Sequence, residues 1–119
     1  MTAPLDATLS GGYRRWDDVR VERVADGIER QMIVGARLMV CRLRFHPHVA
    51  TPAHSHPHEQ VTLVEKGRVR FTIGDETRIA QPGDVLHFAP GVVHGATMLN
   101  EEVVLIDIFS PIREDFLTS

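Results

Sequence analysis

Cysteine is nearly absent from this 119-residue chain: Cys41 stands alone, so no disulfide can close within it, and the chain is compatible with a reducing compartment. Long apolar runs are missing too. Residues 1–18 carry Pro, Gly and Asp but no stretch long enough for a signal peptide or a membrane span, which makes a cytoplasmic location the expectation. Charge of one sign does not collect anywhere. The formal net charge is −3, Arg and Glu are interspersed, and no basic stripe is available to neutralise phosphates or anionic lipid. Nucleic acid and membrane are therefore not expected as partners. There are no repeats, linkers or low-complexity segments, and Leu, Ile, Val and Phe are plentiful, which excludes disorder. A chain of this length buries one contiguous core, so a single domain is expected.

No stretch holds a helical period for three turns. From Val19 onward the apolar residues alternate with a period near two over short runs broken by Gly, Pro, Asp and Asn. This predicts an all-β domain with strands over 19–24, 29–34, 37–45, 60–65, 68–73, 77–80, 85–88 and 103–109. Gly74-Asp75 joins two of these runs as a tight hairpin, with glycine supplying a positive φ. Gln81-Pro82-Gly83-Asp84 and Ala89-Pro90-Gly91 punctuate the later strands. Many short strands with regular turns point to a sandwich or barrel. Cys41 shares its parity with Met39, Leu43 and Phe45, which predicts a packed, inert thiol. Residues 1–18 form an N-terminal arm in this reading, loosest over 1–12. Residues 19–119 form the barrel, ending in a short irregular or helical tail from 111. Edge strands such as the run from Val19 to Val24 invite pairing between subunits.

The segment Thr51-Pro52-Ala53-His54-Ser55-His56-Pro57-His58-Glu59-Gln60 holds three of the seven histidines in five residues. On an extended chain His54 and His56 project to one face, and Gln60 has the same parity. A further donor on another element is needed to complete a site for a first-row metal, and His94, just after the turn Pro90-Gly91-Val92-Val93, is the candidate. Glu59 and His58 are rivals for the third position, but strand parity turns Glu59 away from the side Gln60 faces. His58 is then expected to line the mouth or to support a ligand. His46, His48 and His87 read as ordinary surface or packed histidines.

His54-Ser55-His56 with Gln60 and Gly67 resembles the first sequence motif of the cupins, and Gly83, Gly91 and His94 are spaced as in their second. The resemblance runs from about Ile28 to Leu117. It implies a jelly-roll β-barrel, or double-stranded β-helix, with one divalent transition metal (Zn, Ni, Fe, Mn or Co) inside its mouth on His54, His56, Gln60 and His94. It also implies a homodimer. Three positions depart from the pattern: Gln60 stands where many cupins carry Glu, Ala89 where Pro is usual, and Met98 where Asn is usual. Gln60 matters chemically. Three neutral imidazoles and a neutral amide leave the charge of the ion uncompensated, so such a site attracts an anion and polarises a bound oxygen. The carboxylate common in oxygen-activating iron sites is missing.

Asp107 is the one ionisable residue in the otherwise apolar run 103–109. Burying an unpaired carboxylate is expensive, so Asp107 must have a partner, reach a cavity, or have a raised pKa. A purely structural pairing with an arginine remains open. The ending Asp107-x-Phe109-Ser-Pro-Ile-Arg113-Glu-Asp-Phe-Leu, together with the histidine loop and Glu59-Gln60, is similar to that of the pectin- and alginate-pathway cupins that linearise unsaturated uronates. Leu63 departs from that pattern, which often has an aromatic there. The resemblance implies an active site containing Asp107, Phe109 and Arg113, with Asp107 moving a proton, Phe109 packing on the sugar ring and Arg113 holding the carboxylate of a small anionic substrate, a sugar acid. A salt bridge within the tail is an equally available role for Arg113. The expected function is thus metal-dependent conversion of a 4,5-unsaturated uronate to its linear 4-deoxy-5-keto form. The alternatives are a metal-containing ligand-binding or sensory cupin and an iron-dependent dioxygenase.

Overall fold

The structure is a computed structural model describing residues 12–117. Most of the expected N-terminal arm lies outside them. Its last residues, Trp16–Asp18, make a 3-10 turn. The Gln31 side-chain amide donates to the carbonyls of Trp16 and Val19 at 2.6 and 2.9 Å, and Val19 is buried.

Ten strands follow: β1 (Glu22–Ala25), β2 (Ile28–Val34), β3 (Met39–Phe45), β4 (Ala50–His54), β5 (Glu59–Lys66), β6 (Val69–Ile73), β7 (Glu76–Ala80), β8 (Val85–Phe88), β9 (His94–Met98) and β10 (Val103–Ser110). They form two sheets, of order β1-β2-β3-β10-β5-β8 and β4-β9-β6-β7, with every recorded pairing antiparallel. Among the described residues the last element is a 3-10 turn, Glu114–Phe116. Among the described residues no helix is long and apolar enough to cross a membrane.

The inward faces of the two sheets meet in one core of Phe45, Val64, Val69, Phe71, Phe88, Met98, Val103 and Leu105. Burying each large side chain there contributes about 1.5–3 kcal/mol. Met32, Val34, Met39, Cys41 and Phe109 form a second cluster, against which the tail residues Ile112, Phe116 and Leu117 pack. Cys41 is fully buried, and burial, reinforced by the charge of Asp107, pushes its thiol up to about 12. Gly74, with a φ of 60°, turns β6 into β7 with Ile73 opposite Glu76. Gly67 is required for a different reason: its φ is 79°, and a Cβ there would lie 2.2 Å from the Glu102 carbonyl oxygen.

The run from Val19 is shorter as a strand than its alternation predicts, because Val19 leaves the sheet to be capped by Gln31. Two strands, β4 and β9, go beyond the eight predicted. β4 contains Pro52, which its position at the edge of the four-stranded sheet tolerates. β9 reads His-Gly-Ala-Thr-Met, without a run of β-branched residues, and is a strand because β4 and β6 flank it. These two unpredicted strands carry His54 and His94.

Candidate metal centre and its pocket

β4 and β9 pair with His54 directly opposite His94. Gly95 permits the approach, since a Cβ there would already press on the Thr51 carbonyl at 3.2 Å and on Ala53 at 3.3 Å. His56, on the loop beyond β4, closes over the pair, with its ring centroid 5.8 Å from that of His54 and 4.9 Å from that of His94. The candidate ligand nitrogens of the three histidines lie within 4.8 Å of one another. Gln60, buried at the start of β5, places Oε1 3.0 Å from His56 Nε2.

The hydrogen bonds around the rings decide what this cluster can bind. His54 Nδ1 is 2.9 Å from the Pro52 carbonyl oxygen, His56 Nδ1 3.0 Å from that of His58, and His94 Nδ1 3.0 Å from that of Val92. A carbonyl only accepts, so each Nδ1 carries the proton and donates it, and each Nε2 keeps a lone pair. Burial lowers the pKa of His56 and of His94, which favours the neutral rings. His56 Nε2 and Gln60 Oε1 then face each other as two acceptors. Three imidazole lone pairs and an amide oxygen, gathered close together with no proton between them, are a donor set that fits a transition-metal cation.

Glu59 lies on the opposite face of β5, exposed, where its carboxylate is 2.6 Å from His87 Nε2 on β8. It is turned away from the histidine cluster, as strand parity requires. His58 supports His56 through its backbone carbonyl, while its own buried Nδ1 has no hydrogen-bond partner among the described residues. His46 and His48 are exposed.

The cluster opens into a cavity of about 240 Å³ whose wall includes His54, Gln60, His94, Asp107, Phe109 and Arg113. β10 supplies the opposite wall through its register with β5: Asp107 stands opposite Thr62, and Phe109 opposite Gln60. Asp107 Oδ1 accepts a hydrogen bond of 2.7 Å from the Thr62 hydroxyl, which in turn accepts one of 2.9 Å from Gln60 Nε2. Burial raises the Asp107 carboxyl to about 6, with Thr62, the Gln60 amide, and the charges of Arg113 and His54 pulling the other way. Asp107 thus has all three attributes expected of it: a partner, a cavity and a raised pKa. The partner is a threonine rather than an arginine. The Phe109 ring stands edge-on to His56, with centroids 5.8 Å apart.

Arg113 does two things at once. Its Nε and one terminal nitrogen make a forked pair with Asp115 at 3.0 and 2.8 Å, which holds the Asp115 carboxyl below its usual range, so the tail salt bridge is real. Its guanidinium also forms part of the cavity wall, 5.2 Å from the centroid of Phe109 and 4.2 Å from that of Phe116. Arg30 of β2 lines the same cavity, with its guanidinium 4.3 Å from the Phe116 centroid and its Nε on Glu22 at 3.2 Å. Arg30, Thr62 and Phe116 were not among the residues singled out by sequence. Arg30 had a legible signal, since it shares the parity of Ile28, Met32 and Val34 and so is a charge on an apolar face. Thr62 had the parity of Gln60. Phe116 had none.

The model described as "Cupin domain" matches residues 41–109. The chain is 36% identical over 103 residues to the pectin degradation protein KdgF of Dickeya dadantii (strain 3937), a match covering 85% of this chain and 94% of that one. The fold superposes on KdgF from Halomonas sp. with a TM-score of 0.86 at 28% identity, over 91% of this chain and all of that one (100%). It superposes on an RmlC-like cupin from Shewanella frigidimarina NCIMB 400 with a TM-score of 0.84 at 30% identity, over 90% of this chain and 96% of that one. A jelly-roll of two sheets whose mouth gathers three histidines, matched by a family model over more than half its length, identifies this chain as a member of the cupin family.

Proposed function

We propose that this cupin binds one divalent transition metal ion through His54, His56, Gln60 and His94 and converts a 4,5-unsaturated uronate to its linear 4-deoxy-5-keto form. The observation that carries the reading is the meeting, in one cavity, of the histidine cluster with a carboxyl raised to about 6 and a cationic, aromatic wall. Similarity to two KdgF proteins, one of them a pectin degradation protein by name, supports the substrate class.

The substrate is a cyclic hemiacetal whose ring oxygen is also part of an enol ether. Opening it breaks the C1–O5 bond, leaves an aldehyde at C1, and turns C5 from enol to ketone as C4 gains a proton. No atom is added and nothing is oxidised. Asp107, with a carboxyl poised near 6, takes the proton of the anomeric hydroxyl as the ring bond breaks and returns one to C4 as the enolate collapses. Thr62 holds that carboxylate in place. The substrate carboxylate lies against Arg113 and Arg30, whose guanidinium groups offer N–H donors beyond those engaged with Asp115 and Glu22. Phe109 packs on the ring face. A bound divalent ion supplies Lewis acidity at a substrate oxygen, and its charge, uncompensated by the neutral ligands, favours an anionic substrate.

The test follows the loss of enol-ether absorbance of an unsaturated uronate monosaccharide on adding zinc-, nickel- or iron-loaded protein, with the spontaneous rate subtracted. Acceleration abolished by a chelator and by Asp107→Asn is the expected result. A folded, metal-loaded protein that gives no acceleration would overturn the enzymatic reading in favour of a ligand-binding cupin. Oxygen uptake coupled to turnover would point to an oxygenase.

A further inference from the structure

Gln60 has two ends to offer the histidines, and only one can be a ligand. The carbonyl oxygen has lone pairs for a cation, whereas the NH2 group has only protons. Turned the other way, the amide would donate to His56 Nε2 and occupy the lone pair a metal needs. What chooses between the two ends lies on the far side of the residue. Gln60 Nε2 donates to Thr62 Oγ1 at 2.9 Å, and Thr62 Oγ1 donates to Asp107 Oδ1 at 2.7 Å. A hydroxyl has one proton. With it given to a carboxylate, Thr62 has only lone pairs left for Gln60, so it takes the NH2 end and turns the oxygen toward His56.

The placement leaves little room for another arrangement. Thr62 is completely buried (0% exposed), so no bulk water competes for its hydroxyl. It is directly opposite Asp107 in the ladder, with Gln60 two residues away on the same face of β5. Valine has the same shape, so packing alone does not call for a hydroxyl here, and a hydroxyl buried in this wall is tolerable only with its hydrogen bonds made.

We infer that Thr62 is a positioning residue that selects the oxygen of Gln60 as a metal ligand by spending its single proton on Asp107. The inference rests on reading His54, His56, Gln60 and His94 as a metal site and goes beyond it, because it ties the proton-moving carboxylate to the identity of the fourth ligand atom.

The experiment measures Zn(II) affinity by competition with a chromophoric chelator for wild type, Thr62→Val and Thr62→Ser, each with Gln60 and with Gln60→Glu. With Gln60, Thr62→Val is expected to weaken zinc binding about tenfold, as loss of a ligand-orienting partner does, and Thr62→Ser to stay close to wild type. With Gln60→Glu both ends of the side chain are oxygens, so the same Thr62→Val change should lose most of its effect. Wild-type affinity in Thr62→Val would overturn the inference. An equal loss in both backgrounds would also overturn it, since that would mark general disturbance of the wall. Failure of the wild type itself to bind zinc would overturn the metal reading and the inference with it. Should Thr62→Val lose its β circular dichroism, Thr62→Ala removes the hydroxyl with less bulk and carries the same expectations.

Discussion

His54 and His94 stand opposite one another across the β4–β9 ladder, their ring centroids 4.4 Å apart, although one strand enters the histidine loop and the other follows a turn much later in the chain. Their pairing is a property of the sheet, and any ion that binds both rings ties the two strands together.

Metal should therefore stabilise the fold measurably. At a free zinc concentration a hundred times the dissociation constant, linkage contributes about 2.7 kcal/mol, or a rise of roughly 10 °C or more in Tm for a domain of this size. His94→Ala should fold and show almost none of that shift. Differential scanning fluorimetry with and without zinc reads the difference, and an equal shift in the variant would remove His94 from the site.

Gly95 is where that pairing is most easily disturbed. A side chain there meets the Thr51 carbonyl and Ala53 at 3.2 and 3.3 Å before any further atoms are added. Gly95→Val should push β4 from β9 and weaken zinc binding while the rest of the barrel keeps its β circular dichroism. Undiminished affinity would show that the strand spacing is not critical.

Asp107 sets a pH dependence in the metal-free protein. Its carboxyl is raised from 3.8 to about 6, so the folded state holds the proton more tightly than the unfolded chain does. That contribution to stability is fully present below about 3.8 and is lost as pH rises through about 6. A shift of that size corresponds to at most roughly 3 kcal/mol. Urea unfolding of the chelated protein should show wild type losing stability relative to Asp107→Asn between those limits, and parallel pH profiles would count against a raised Asp107.

Arg113 and Arg30 line the same cavity, and the proposed reading gives both the substrate carboxylate to hold. A hydrogen bond to a charged group contributes about 1.5–3 kcal/mol, so Arg113→Lys, which keeps the charge and loses the planar fork, should raise KM about tenfold or more with a smaller change in kcat. Arg30→Gln should raise KM in the same sense. Steady-state kinetics with the uronate decide it, and a fall in kcat at constant KM would assign Arg113 to the chemistry instead.

Cys41, buried and pushed up to about 12, should not react with an aromatic disulfide reagent near pH 8 until urea unfolds the barrel. Rapid reaction of the folded protein would contradict the burial.

Alternation along the chain was enough to determine the all-β class, the buried position of Cys41, and the inward aim of Gln60 against the outward aim of Glu59. Each of these depends on a period of two that a strand carries in its own residues. The histidine segment and Asp107 were legible for a related reason, as polar groups whose burial needs an explanation. β4 and β9 were not legible. A proline-bearing edge strand and a strand of small and polar residues become strands only through neighbours distant in sequence. The relay from Gln60 through Thr62 to Asp107, and the stacking of Arg30 and Arg113 on the tail phenylalanine Phe116, also required the folded chain. Strand parity says which way a side chain faces. Which partner it meets there is set by the register between strands, and that register was decided only when the two sheets closed on a common core.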